Sequence, residues 1–211
     1  MSQNVPYVIT ISRQIGSGGA YIGQQVANKL GISYIDREIV HRAAQRLNMP
    51  ENDLVHRDEK RVTQLWLSVL GAYVYGNPGG YIPPPLNIMT DEELYQVESE
   101  IILDIAKQAS AVIIGRGGYY ILRGHPRHLS IFLYADAAFR QQRIKELYHL
   151  SSPEALDTIN SVDKSRASYL LLLTKENWID ARQYHISIDT SILGLEIAEN
   201  IIIEAVHARF H

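Results

Sequence analysis

The stretch from Tyr7 to Asp36 constrains this fold more than any other part of the chain. Val8 to Ile11 is a short apolar run rich in β-branched residues, Gly16-Ser17-Gly18-Gly19 interrupts it, and Ile22, Val26 and Leu30 then recur at helical spacing until Gly31. The pattern reads as strand, glycine loop, helix. Such a loop lets main-chain N–H groups turn inward with no Cβ in the way, and the helix behind it points its positive end at the same place. Phosphate is the guest this arrangement suits. A glycine-rich turn that merely packs a helix close to a sheet fits the same residues.

The loop departs from the usual phosphate-binding pattern where charge matters most. That pattern ends in Gly-Lys-Ser/Thr, the lysine reaching the β- and γ-phosphates and the hydroxyl holding Mg²⁺. With the glycines aligned, Gly19 stands at the lysine position and Tyr21 at the hydroxyl position. Arg13 is the nearest cation that could replace the charge, and Ser12 or Ser17 the nearest small hydroxyl for a metal.

The 211 residues suit one domain, residues 1–211, with a full core. Hydrophobic residues make up 46% and charged residues 20%, the balance of an ordinary soluble protein, and a net charge of −3 advertises neither a nucleic-acid nor a membrane surface. The longest apolar run, Gln64 to Tyr75, contains Gly71 and falls short of the roughly 20 residues that span a bilayer. Residues 1–6 lack the basic and apolar regions of a signal peptide. The absence of cysteine rules out disulfides and thiolate metal sites, as suits a cytoplasmic protein, and the scattered histidines give no metal-ligand spacing.

Ile32 to Ile35 reads as a second strand, ending at Asp36-Arg37, and Glu38 to Leu47 as a helix. Asp36 falls where ligands collect in open α/β sheets, although N-capping the next helix explains it equally well. Residues 76–85 hold too much glycine and proline for helix or central strand. Tyr73, Tyr75 and Tyr81 beside them offer flat faces to a base or a partner chain, or staple a surface loop, and Leu65 to Tyr81 is compatible with a homo-oligomer contact. A helix from Asp91 to Ala109, capped by Thr90, puts Leu94, Val97, Ile101, Ile102 and Ile105 on one face.

Ala111 to Ile114 is the third strand, followed by Gly115-Arg116-Gly117-Gly118. An arginine between glycines is expected to be exposed and to bind a phosphate or a base edge, and Arg123 and Arg127 add to the local positive field. Leu129 to Tyr134 is the fourth strand, and a helix to about Leu150 carries Arg140 and Arg143 three residues apart. A helix from Pro153 to Tyr169, capped by Ser151 or Ser152, carries Asp163, Lys164 and Arg166. Less regular chain from Lys175 to Gln183 precedes a strand at His185 to Ile188 and a last helix, Leu193 to about His207, burying Leu195, Ile197, Ile201 and Ile202 or their neighbours. Five strands alternating with helices predict a parallel, doubly wound α/β domain.

Several motifs together resemble the cytidylate kinase-like family, relatives of the bacterial cytidylate kinases. They are Ile-Thr-Ile-Ser-Arg-Gln-Ile-Gly-Ser-Gly-Gly at 9–19, Tyr-Ile-Asp-Arg-Glu-Ile at 34–39, Ile-Ile-Gly-Arg-Gly-Gly at 113–118, Ile-Phe-Leu-Tyr-Ala at 131–135, Asp-Lys-Ser-Arg at 163–166, Tyr169, Trp178 and Ile-Asp-Thr-Ser at 188–191. The resemblance implies a five-stranded parallel sheet flanked by helices, of the P-loop nucleoside-triphosphate hydrolase and nucleotide kinase type. It further implies a core of residues 1–36 and 111–211, a helical monophosphate-binding insertion at about 37–110, and a short lid at about 141–183.

By the same resemblance Gly16, Ser17, Gly18 and Gly19 form the phosphate loop. Asp36, Arg37 and Arg116 hold the acceptor, and Arg140, Arg143, Asp163 and Arg166, with Arg13, surround the reacting phosphates. Gly117 stands where true cytidylate kinases have aspartate, which weakens any inference of cytidylate specificity. The activity implied is transfer of the ATP γ-phosphoryl group, with Mg²⁺, to a nucleoside monophosphate or similar small acceptor. A nucleotide-binding sensor or assembly module without transfer, and a kinase of a non-nucleotide metabolite, are the alternatives.

Overall fold

The computed structural model describes residues 5–36, 38–47 and 91–210. Arg37, Thr90, the tyrosine- and proline-rich stretch with Tyr73, Tyr75 and Tyr81, and the candidate contact at 65–81 lie outside the described residues.

Five parallel strands form one sheet: β1 (Val8–Arg13), β2 (Ser33–Ile35), β3 (Ala111–Ile114), β4 (His128–Tyr134) and β5 (Ile186–Asp189), in the order β2-β3-β1-β4-β5. The helices are α1 (Gly19–Leu30), α2 (Glu38–Leu47), α3 (Asp91–Gln108), the single turn α4 (Gly118–Ile121), α5 (Ala137–Tyr148), α6 (Ser152–Thr174) and α7 (Thr190–Phe210). A parallel strand needs apolar cover on both faces, and β1 supplies it with a nearly continuous buried run. Ile9 and Ile11 pack with Val112, Ile131 and Ile188 against α1 and α7, while Val8 and Ile113 pack against α2 and α3 through Ile39, Ile101, Ile102 and Ile105.

The elements follow the sequence pattern closely, with four differences. Strand β1 continues two residues past Ile11 because Ser12 and Arg13 pair with Phe132 and Leu133. Helix α6 runs five residues past Tyr169, since Leu170 to Thr174 contains nothing that breaks a helix. The turn α4 follows the Gly-Arg-Gly-Gly segment, where glycine content masks helix. Finally, Gly194 breaks the helical path of α7 with φ 76° and ψ 168°. Beyond it Ala198, Ile202 and Val206 form the buried stripe at four-residue spacing, whereas Ile197, expected inside, lies one position off it and is 52% exposed.

Helices α5 and α6 form an antiparallel hairpin whose small core, Ile144, Ala155 and Ile159, takes in Ile15 from the glycine loop. Glu154 reaches back to the main-chain N–H of Ser151 (2.8 Å), which fixes the start of α6. Among the described residues no helix is long and apolar enough to cross a membrane.

Candidate functional site

Because all five strands are parallel, their carboxyl ends share one edge, and Arg13, Asp36, Gly115 and Asp189 collect there. The glycine loop bridges β1 and α1 on that edge. Ser17 Oγ donates to the Gln14 carbonyl (2.8 Å), the Ser17 carbonyl accepts from Thr190 Oγ1 (2.9 Å), and Gln14 Oε1 accepts from Ala135 N–H (3.3 Å). Gly18 caps α1 with φ 86°, a left-handed conformation that glycine adopts without penalty. The first N–H of this helix with an acceptor is that of Ile22, to Gly18 (2.9 Å). Among the described residues the N–H groups of Gly18, Gly19 and Ala20 have no acceptor, so the helix presents open donors at its positive end.

The hairpin closes directly on this loop. A Cβ at Gly16 would lie 2.9 Å from the Cβ and the carbonyl oxygen of Arg140, so α5 rests on the loop backbone. Asp163 Oδ1 accepts from Ile15 N–H (2.9 Å) while its Oδ2 pairs with Arg140 Nη1 (2.6 Å). Arg166 Nη1 donates to the Arg13 carbonyl (3.1 Å). The structure thus brings together Arg13, Gly16 to Gly19, Arg140, Asp163 and Arg166. The Nε atoms of Arg140 and Arg143 are buried without an acceptor among the described residues. Arg143 borders an open cleft of about 570 Å³ lined also by Tyr21, Gln25, Leu195 and Glu196, contiguous with the loop because Leu195 packs on Gly18.

The acceptor candidates lie on the β2–β3 side. Asp36 Oδ2 accepts from the Tyr34 hydroxyl (3.3 Å), and burial followed by the Asp36 charge pushes the Tyr34 phenol up to about 12. Arg116 is not the exposed arginine its flanking glycines suggest. Its side chain is 13% exposed and its Nη1 pairs at 3.0 Å with Glu98, a fully buried carboxylate on α3, which also accepts from Tyr169 of α6 (3.0 Å). The flanking glycines serve a turn in which Arg116 itself adopts φ 54°.

Glu98 escaped the pattern reading because an acid within a helix is normally assigned to solvent. The signal was its position, four residues after Leu94 and three before Ile101, on the apolar face. Of the two candidate metal hydroxyls, Ser12 is buried beside the Tyr184 phenol and Ser17 is fully buried with its proton committed to Gln14. Among the described residues no three His, Asp or Glu side chains converge as a metal cage.

Known proteins echo this architecture. An uncharacterized protein from Eubacterium ventriosum superposes with a TM-score of 0.69 at 21% identity, covering 96% of this chain and 99% of its own. Shikimate kinase from Acinetobacter baumannii, solved with shikimate, gives 0.51 at 12% identity (97% and 95% covered), and shikimate kinase from Bacteroides thetaiotaomicron 0.51 at 14% (95% and 98%). At these identities the likeness shows the fold. No curated protein matches the sequence. One family model does match, over residues 8–192, from the first strand through the loop, the β2–β3 edge and both arms of the hairpin to the start of the last helix. The chain belongs to the cytidylate kinase-like family.

Proposed function

We propose that this protein transfers the γ-phosphoryl group of ATP to a small acceptor, with nucleoside monophosphates the leading class. One observation carries the reading: open N–H groups at the start of α1 adjoin Arg140 and Arg143, whose buried Nε atoms lack acceptors among the described residues. A polyphosphate would accept from the open main-chain N–H groups, with the two guanidinium charges beside it. The nucleoside end of ATP would enter the cleft between Tyr21 and Leu195, with Arg143 at its border.

In the transfer, the bond from the bridging oxygen to the γ-phosphorus breaks, a bond from an acceptor oxygen forms, and ADP leaves. Such a reaction needs positioning and charge neutralisation more than covalent help from the protein. Arg140 and Arg166 would supply charge, Asp163 would hold Arg140 against the loop, and Arg116, aligned by Glu98, would take an acceptor phosphate. Magnesium would be held through the triphosphate and water, as is common for this ion, since the described side chains offer no cage of their own.

Calorimetry with a non-hydrolysable ATP analogue and Mg²⁺, followed by ADP release across nucleoside monophosphates and shikimate, tests the reading. Release stimulated by one acceptor establishes the kinase. Shikimate belongs in the panel because shikimate kinases share the fold, and Asp36 stands at the acceptor edge as a base for a hydroxyl. Analogue binding with no stimulated release favours a binding module, the reading to which glycine at position 19 inclines. In a transferring enzyme, Arg166→Ala lowers turnover by roughly 10²-fold to 10³-fold with little change in analogue affinity.

A further inference from the structure

Gly19 occupies an ordinary helical position, the first of α1, where glycine is among the poorest formers. Its conformation does not demand glycine, but its neighbour does. A Cβ built at Gly19 would stand 2.7 Å from both Cβ and Cγ of Arg13, closer than real Cβ atoms approach such groups. The other end of the same arginine meets a second glycine. A Cβ at Gly115 would overlap Arg13 Nη1 and lie 3.2 Å from Cζ. The Arg13 side chain therefore runs from the end of β1 across the start of α1 to the end of β3, along a track where two side chains are missing. Its charge also reaches the end of β2, where it opposes the upward shift of Tyr34.

We infer that Arg13 is the cation of this phosphate loop, delivered from β1 instead of from the helix. Gly19 is glycine because the arginine's stem fills the space a side chain would need. The guanidinium lies at Gly115, between the open N–H groups of the loop and the acceptor edge at Asp36 and Arg116, so it is placed on the phosphoryl group in transit. The missing lysine and the extra arginine are then one exchange: the loop holds either a cation at 13 or a side chain at 19. The catalytic half of this inference rests on the kinase reading above; the steric half does not.

The test is a swap. Alanine at 13 would keep the offending Cβ, so the compensating variant needs glycine: Arg13→Gly with Gly19→Lys. Gly19→Lys alone should lower the melting temperature by roughly 4 to 10 °C through overpacking. The double variant should be more stable than the sum of the two single changes allows. Gly19→Lys as stable as the parent, or additive melting temperatures, overturns the exchange.

In the transfer assay Arg13→Gly should lower turnover roughly a hundredfold, with a much smaller loss of ATP-analogue affinity, and the double variant should recover part of that turnover. Turnover within about threefold of the parent, or analogue affinity falling as far as turnover, overturns the placement on the moving group. If the parent protein neither binds the analogue nor releases ADP, the kinase reading and the catalytic role of Arg13 fall together, while the melting comparison still decides the exchange.

Discussion

Arg143 touches the Phe139 ring (5.8 Å from Cζ to its centroid), and its buried Nε has no acceptor among the described residues. Among the described residues its guanidinium makes no ion pair, and it borders the open cleft, where it is available to an anion. Arg143→Ala should weaken ATP-analogue binding about 10-fold to 100-fold, the worth of a charge-assisted hydrogen bond, and leave the melting temperature nearly unchanged, a contrast that calorimetry and thermal melting read directly. Asp163 is the opposite case. Its two oxygens hold Ile15 N–H and Arg140 at 18% side-chain exposure, so Asp163→Ala leaves a largely buried guanidinium and a loop donor unmatched. Urea denaturation should show a loss of about 2 kcal/mol. Both residues were legible in the sequence as parts of a motif, but their division of labour was not, because it depends on which carboxylate each guanidinium meets. Arg116 shows the same limit: flanking glycines suggested exposure, and a carboxylate 18 residues earlier buried it.

Helices α3 and α6 meet at that carboxylate. Glu98 takes Arg116 on one oxygen and Tyr169 on the other, so the helix before β3 and the returning arm of the hairpin share one buried charge. Tyr169→Phe should cost about 1 to 2 kcal/mol in urea denaturation, the value of a hydrogen bond to a charged acceptor, and should raise the KM for the acceptor more than that for ATP. At this scale the sequence was most informative. Alternating apolar runs and helical faces placed all five strands within two residues at either end, since local periodicity is set by the neighbours each strand and helix must bury. It failed at Ile197, which is apolar but lies one position off the Ala198, Ile202 and Val206 stripe that packs on the core.

Across the whole molecule, the end of the sheet opposite the site carries a histidine pair, one ring buried and the other exposed. His128 is 1% exposed, its Nε2 lies 2.8 Å from Thr10 Oγ1, and its ring meets that of His185 edge-on at 5.7 Å. Burial, then the nearby His185 with weaker contributions from His125 and Arg209, lowers its pKa from 6.5 to about 4. The unfolded chain therefore takes up this proton first as the pH falls, and the stability that His128 contributes should decline between about pH 6.5 and 4 by roughly 3 kcal/mol, with no further loss from this group below. Thermal melts across that range should lose much of this slope in His128→Gln. Strand order was the part of the fold that periodicity could not supply, since nothing local in β1 names its partners; the family resemblance implied the core. Those partners are distant: Val8 pairs with Ala111 and with His128. During synthesis the strand bearing the glycine loop emerges ahead of its sheet neighbours and finds none of them until more than a hundred further residues have been made. Such long-range pairing is slow and leaves an apolar strand exposed meanwhile. The centre of the finished domain is thus the part that waits longest on the ribosome, and a nascent chain cut short before residue 111 would carry its glycine loop on an unpaired strand.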